Sequence, residues 1–187
     1  MRVGVLHPGE MGVTVLESLM ANGVSATWVK EGRGESTIQR ASSVPSLDTL
    51  EELTDSVETI ISVCPPSAAL EVALSIFDKG FEGIYVDANA ISPLESRKIS
   101  ELFGAAFVDG GIIGPPAKEA GTTRIYLSGM RSREVVDLFK VGPLEAIALS
   151  ESSDPEEITA ASALKMAYAG FSTVSYTHLT LPTICSV

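Results

Sequence analysis

Along the chain, short apolar runs of strand length alternate with stretches whose apolar residues recur every three or four positions. The strand-like runs are RVGVLH (2–7), SATWVK (25–30), ETIISVC (58–64), GIYVDAN (83–89), AAFVDGG (105–111), TTRIYLSG (122–129) and LEAIALS (144–150). Helical spacing marks 10–23, 67–80, 91–104 and 132–142, with short helices near 36–42 and 46–53. Gly23 and Gly80 close two of these helices, and Ser46 is the expected cap of the one at 46–53. A last helix is announced by Asp154 as cap, Pro155 in the first helical position and Glu157 at capping-box spacing, and it runs to residue 173. Strand and helix in such alternation predict an α/β fold built on a doubly wound, mainly parallel sheet.

From Val174 the periodicity stops. The run VSYTHLTLPT is similar to the in-frame translation of a transposase adaptor used in shotgun sequencing libraries. Residues 174–187 are therefore expected to be a non-native tail, with the natural protein continuing past Thr173 and with no functional meaning for His178 or Cys185. The expected organisation is a first domain over 1–152, a connector helix over 153–173 that begins a truncated helical domain, and the tail.

A chain of 187 residues, 45% hydrophobic, is long enough for one full core. The formal net charge of −11 and the lack of any basic run argue against nucleic acid and anionic membrane as partners. No apolar run reaches the length of a membrane span. Cys64 and Cys185 have no metal or redox spacing, so no metal is expected and a reducing cytoplasm fits. With His7 and His178 as the only histidines, triad chemistry is disfavoured.

The chemistry-bearing stretch is VGVLHPGEMG, where an apolar run turns into a helix. It reads as a G-x-G-x-x-G dinucleotide loop of Rossmann type that lacks its first glycine. Gly9 and Gly12 keep the jobs of close approach to a pyrophosphate and of helix–strand packing, while His7-Pro8 must make the turn in another way. Glu10, Met11 and Gly12 still open a helix whose N–H groups can hold an anion. The end of the second strand should lie near the adenosine ribose, with Trp28 close by. There Lys30 and Arg33 favour NADP, and Glu31 keeps NAD possible.

Four stretches then occur in order: GEMG at 9–12, VCPPSAA after the third core strand, VDANAISP after the next and VDGGIIGPPA after the one following, with Lys165 in the capped helix beyond. Together they resemble the β-hydroxyacid dehydrogenase family, which includes 3-hydroxyisobutyrate and 6-phosphogluconate dehydrogenases, over residues 1–173. The resemblance implies a Rossmann-type N-domain, a helical domain that dimerises, and hydride transfer between NAD(P) and a β-hydroxyacid or related carbonyl compound. It implies Lys165 as the catalytic lysine. Small neighbours Ala161, Ser162 and Ala169 on its helix face would let a ligand approach closely. Cys64, Pro65 and Pro66 would wall the cofactor, and Asn89 would bond the nicotinamide ribose or the substrate, or simply end its strand. Asp109–Gly114 matches the family's substrate loop, with Gly110, Gly111 and Gly114 allowing close backbone approach and Ile113 standing where the family has serine. Tyr168, where the family has asparagine nearby, could face the substrate beside Lys165. These departures bear on the substrate more than on the reaction. An imine or ketone reductase, and a non-catalytic nucleotide-sensing module, are the alternative readings. The truncated chain is expected to be inactive by itself.

Overall fold

A computed structural model describes the backbone of residues 1–179 and the side-chain surroundings of residues 1–173. Of the stretch 174–187, the backbone through Leu179 is described and is helical, whereas 180–187, Cys185 among them, and the side chain of His178 lie outside the described residues. The strands are β1 (Arg2–Leu6), β2 (Ser25–Val29), β3 (Ser46–Leu47), β4 (Thr59–Ser62), β5 (Ile84–Asp87), β6 (Phe107–Ile113), β7 (Thr123–Ser128) and β8 (Leu144–Ser150). Between them run α1 (Glu10–Ala21), α2 (Glu35–Arg40), α3 (Leu50–Ser56), α4 (Ala69–Phe77), α5 (Pro93–Phe103) and α6 (Ser132–Val136), and α7 (Ala160–Leu179) follows the last strand.

One sheet holds all eight strands in the order β3-β2-β1-β4-β5-β6-β7-β8, parallel except for the antiparallel pairing of β6 with β7. The order reverses between β1 and β4, so the crevice beyond their carboxyl ends is where a doubly wound sheet binds ligands. Alternate residues of each strand enter opposite cores. Val3, Val5, Trp28, Ile61 and Val86 pack with Leu16 and Leu19 of α1 and Val135 of α6. Leu6, Val29, Ile60 and Tyr85 pack with Leu53 of α3, Ile76 of α4 and Ile99 of α5. Both faces are covered, which is why the strands read as continuous apolar runs.

The structure corrects several local expectations. Ser46 does not cap a helix: it pairs with Trp28 in the two-residue β3, and the cap is Thr49, whose hydroxyl accepts from the Glu52 N–H at 3.2 Å. Glu52 answers by accepting from the Asp48 N–H. The helix expected over 132–142 ends at Val136 and continues only as a 3-10 turn through Phe139. Asp154 does hold the N–H groups of Glu156 and Glu157, but they open a 3-10 turn and α7 proper starts at Ala160. Glu157 bonds Ser150 instead of closing a capping box. By contrast, Ser92 and Glu95 form a complete capping box on α5, with Pro93 in the first turn.

Candidate functional site

The loop after β1 makes its turn in the left-handed region, with His7 at φ +61°. The His7 carbonyl accepts from the Gly9 N–H at 2.7 Å, which aims the chain into α1. A Cβ on residue 12 would lie 2.6 Å from that same carbonyl oxygen, so Gly12 is the only residue type that fits. Gly9 occupies the N-cap without a side-chain bond, and the opening N–H groups of α1 have no acceptor within the helix. Pro8 and Gly12 are buried and Met11 half-buried, while Glu10 is exposed, so its carboxylate can turn to solvent.

Next to this turn lies a cavity of about 250 Å3, lined by Leu6, His7, Val29, Glu31, Gly32, Arg33, Leu50, Val72 and Ser75. Its floor is the β1–β2 edge and one wall comes from α4, whose Val72 and Ser75 carried no motif in the sequence. Glu31 is committed elsewhere: its carboxylate accepts from the Leu50 N–H at 3.0 Å, at the start of α3. Lys30 is not at the cavity, because it pairs with Asp48 at 3.3 Å on the exposed surface. Arg33 is the cation that remains. Its Nε donates to the Glu31 carbonyl, and its guanidinium is close enough to His7 and Cys64 to act on both. Burial, and then the charge of Arg33, lower the His7 pKa from 6.5 to about 4, so the ring is neutral near pH 7. Burial also pushes the Cys64 thiol up, away from thiolate reactivity. Trp28 faces the opposite core, with its indole N–H on the Val44 carbonyl, not the cavity.

The carboxyl edge continues through β4 and β5. Asn89, 2% exposed, accepts from the Cys64 N–H at 2.5 Å and donates to Ser62 Oγ and Asp87 Oδ2, both at 3.1 Å. Both of its amide protons are therefore used to tie two strand ends together, which fixes the turn that carries Cys64, Pro65 and Pro66. The two prolines are exposed at the rim. Asp87, fully buried, has its pKa raised to about 7 by desolvation, against the bonds from Asn89.

The strand expected over 105–111 runs on to Ile113 as β6 and pairs antiparallel with β7, so the stretch Asp109–Gly114, matched to the family's substrate loop, is strand in all but its last residue. Its glycines make room for protein. A Cβ on Gly110 would meet the Asp87 carbonyl at 3.0 Å, and one on Gly111 would meet the Ala161 carbonyl at 2.8 Å and Lys165 Cβ at 3.1 Å. Gly114, at φ +126°, ends the strand. Ala161 and Ser162, expected to leave space for a ligand, are buried against β6 and β7. A polar cluster not among the expected site residues holds them. Asp109 accepts from Ser96 Oγ at 2.7 Å, from the Ser162 N–H at 2.6 Å and from Ser162 Oγ at 2.5 Å, and Ser128 Oγ accepts from the Ala161 N–H. The cluster's one sequence signal is FVDG, where an aspartate directly follows two apolar residues of a buried strand. One turn on, Lys165 is half-buried and donates to the Ile112 carbonyl at 2.7 Å, and desolvation lowers its pKa. Tyr168 is half-exposed.

The geometry thus brings His7, Gly9, Gly12, Glu31, Arg33, Cys64 and Asn89 to one end of the crevice and Gly110, Gly111 and Lys165 to the same edge at β6, and leaves Lys30 out. Among the described residues no group of His, Cys, Asp and Glu is arranged to hold a metal, and no helix is long and apolar enough to cross a membrane.

No family model matches the chain. An uncharacterized 28.5 kDa protein in the 7S RNA 5′ region of Methanothermus fervidus is 31% identical over 170 residues, which are 89% of this chain and 63% of that protein. The chain therefore spans less than two thirds of this curated relative. Among solved structures, the conserved protein MTH1747, of unknown function and structurally similar to 3-hydroxyacid dehydrogenases, matches with a TM-score of 0.78 at 31% identity, over 95% of this chain and 67% of its own. At lower identity the fold is shared with a V8 variant of the imine reductase from Myxococcus stipitatus in complex with NAD+, at TM-score 0.71 and 16% identity over 94% of this chain and 62% of that one. It is shared too with Mycobacterium tuberculosis 3-hydroxyisobutyrate dehydrogenase with L-serine, at TM-score 0.67 and 15% identity over 97% and 67%.

Proposed function

Since this chain belongs to the family of proteins similar to 3-hydroxyacid dehydrogenases, we propose that it is the nucleotide-binding part of an NAD(P)-dependent oxidoreductase. The observation that carries the reading is the coincidence, at the one place where the strand order reverses, of an uncapped helix N-terminus and a cavity lined by an arginine that donates to a backbone carbonyl but pairs with no carboxylate among the described residues. A nicotinamide cofactor suits these groups: Gly12 lets a pyrophosphate approach the backbone, and the cavity is of a size for one nucleoside. When bound, the cofactor supplies the hydride acceptor or donor. The chain's part is to bind and orient it, with Pro65 and Pro66 bounding the rim and Asn89 fixing that rim in place.

Arg33 points the preference towards NADP. Glu31, which would hold a ribose 2′-hydroxyl, is already engaged by Leu50, while a guanidinium forms paired bonds to a 2′-phosphate. Lys165 is the proton-exchanging group of this proposal. Its partial desolvation eases loss of a proton to a reacting oxygen, and the Ile112 carbonyl holds its nitrogen at the carboxyl edge. The substrate would be a β-hydroxyacid or related carbonyl compound, with Ile113, Gly114 and Tyr168 along its side of the site and with Gly110 and Gly111 serving it only by seating β6 against β5 and Lys165. Ile113, where a carboxylate-binding serine is expected, favours a less charged carbonyl or an imine.

Calorimetric titration of the chain with NADPH and NADH tests the reading. Tighter binding of NADPH is expected, with Arg33→Ala losing about tenfold, or ~1.4 kcal/mol, on NADPH and little on NADH. Equal affinities that ignore Arg33→Ala would remove the NADP assignment. In the full-length protein, Lys165→Ala should keep cofactor affinity and lose turnover. Unchanged turnover would leave a nucleotide-sensing module as the reading.

A further inference from the structure

His7 is the only non-glycine residue with positive φ among the described residues. Glycine would take this backbone geometry without strain, whereas an imidazole-bearing residue takes it at a cost, so the ring must be accounted for by something other than the turn. The ring lines the cavity beside Arg33. Of its two nitrogens, Nδ1 is sealed from solvent with no hydrogen-bond partner among the described residues. A proton there would be a buried donor without an acceptor, which disfavours that tautomer. The neutral ring then carries its proton on Nε2, the nitrogen that is not sealed. The neighbouring acid and base groups do not compete for it: Glu31 is on the Leu50 N–H and Lys30 is on Asp48.

We propose that His7 is a specificity-determining residue of the nucleotide site, its Nε2–H donating to a phosphate oxygen on the adenosine half of the nucleotide next to the Arg33 guanidinium. This rests on the nucleotide reading above and adds to it a side-chain contact that a glycine in this position cannot make. A neutral N–H donor and a cation side by side suit an anionic oxygen, and Nε2, the ring nitrogen that is not sealed, is the one a ligand in the cavity can reach.

Calorimetric titration of the chain with adenosine 2′,5′-bisphosphate and with NADPH, on wild type, His7→Gly and His7→Asn, tests it. His7→Gly should unfold at the same or a higher temperature than wild type, because strain is released, and yet bind both ligands at least tenfold more weakly. His7→Asn, which tolerates the left-handed region and offers an amide donor, should fall between the two. If His7→Gly binds as well as wild type or better, His7 is only a turn residue and the inference is overturned while the nucleotide reading stands. If folded wild type binds neither ligand, both fall. Should His7→Gly fail to fold, wild-type-like binding by His7→Ala would overturn the inference in its place.

Discussion

At residue 12 a Cβ would lie 2.6 Å from the His7 carbonyl oxygen, and at residue 111 one would lie 2.8 Å from that of Ala161. Both obstacles are backbone and cannot swing away as a side chain can, so each glycine is required by packing before any ligand is considered. The two positions separate in what they control. Gly111→Ala should push α7 off β6, costing about 1–3 kcal/mol in urea unfolding and moving Lys165 relative to Ile112. The lysine's pKa, followed by NMR of 13C-labelled lysine, should rise towards its ordinary value as the ammonium becomes better solvated. An unmoved lysine titration in a destabilised variant would show that β6 does not set its surroundings. Gly12 was legible in the sequence from its spacing to Gly9. The role of Gly111 was not, because the atom it avoids belongs to a residue fifty positions away.

At the level of elements, α7 is docked by its first turn. Its opening N–H groups have no partners inside the helix, and Ser128 and Asp109 accept from two of them across the sheet. A carboxylate at a helix N-terminus also meets the positive end of the helix dipole. Asp109→Ala should leave the Ser162 N–H buried and unpaired and destabilise the protein by about 1–3 kcal/mol, with faster amide exchange at Ser162; Asp109→Asn, which keeps an acceptor, should lose less. Equal losses in the two variants would mean that the carboxyl oxygen does not cap α7. The sequence marked the start of this helix at Asp154, three residues before the 3-10 turn that precedes α7, because local capping signals cannot show that the effective cap comes from β6. The same limit explains Ser46. A serine before a helical pattern reads as a cap, but the pairing of Ser46 with Trp28 draws it into β3 and passes the cap to Thr49.

Across the molecule, His7 and Asp87 tilt stability in opposite senses over one pH window. His7 titrates at about 4 in the folded chain against 6.5 ordinarily, so the unfolded chain takes up the proton first. Its contribution is whole above about 6.5 and lost by about 4. Asp87 titrates at about 7 against 3.8, so the unfolded chain ionises first, and its cost is absent below about 3.8 and complete above about 7. Asp109, raised by burial as well, acts in the same sense as Asp87. Asp87→Asn removes one side of this balance. On acidification from pH 7 to 4 the variant should lose stability more steeply than wild type, by urea unfolding at pH 7, 5.5 and 4. Parallel curves would show that Asp87 does not carry a raised pKa.

The sequence by itself determined the α/β class, the order of the main strands and helices and the turn-to-helix loop at 7–12. Each of these is written in periodicity and in residues that act on near neighbours, and the parallel pairing follows once apolar runs alternate with helices. The tertiary structure alone decided which of the nearby charges reach the cavity. Lys30, Glu31 and Arg33 are all candidates in the sequence, but Asp48 draws the first away, the second lines the cavity with its carboxylate on the Leu50 N–H, and the third is left as the cation at the cavity. It also decided that Gly111 of β6 makes room for α7 and that Asp109 caps it, since the partners in both contacts lie about fifty residues further along the chain, out of reach of any local pattern.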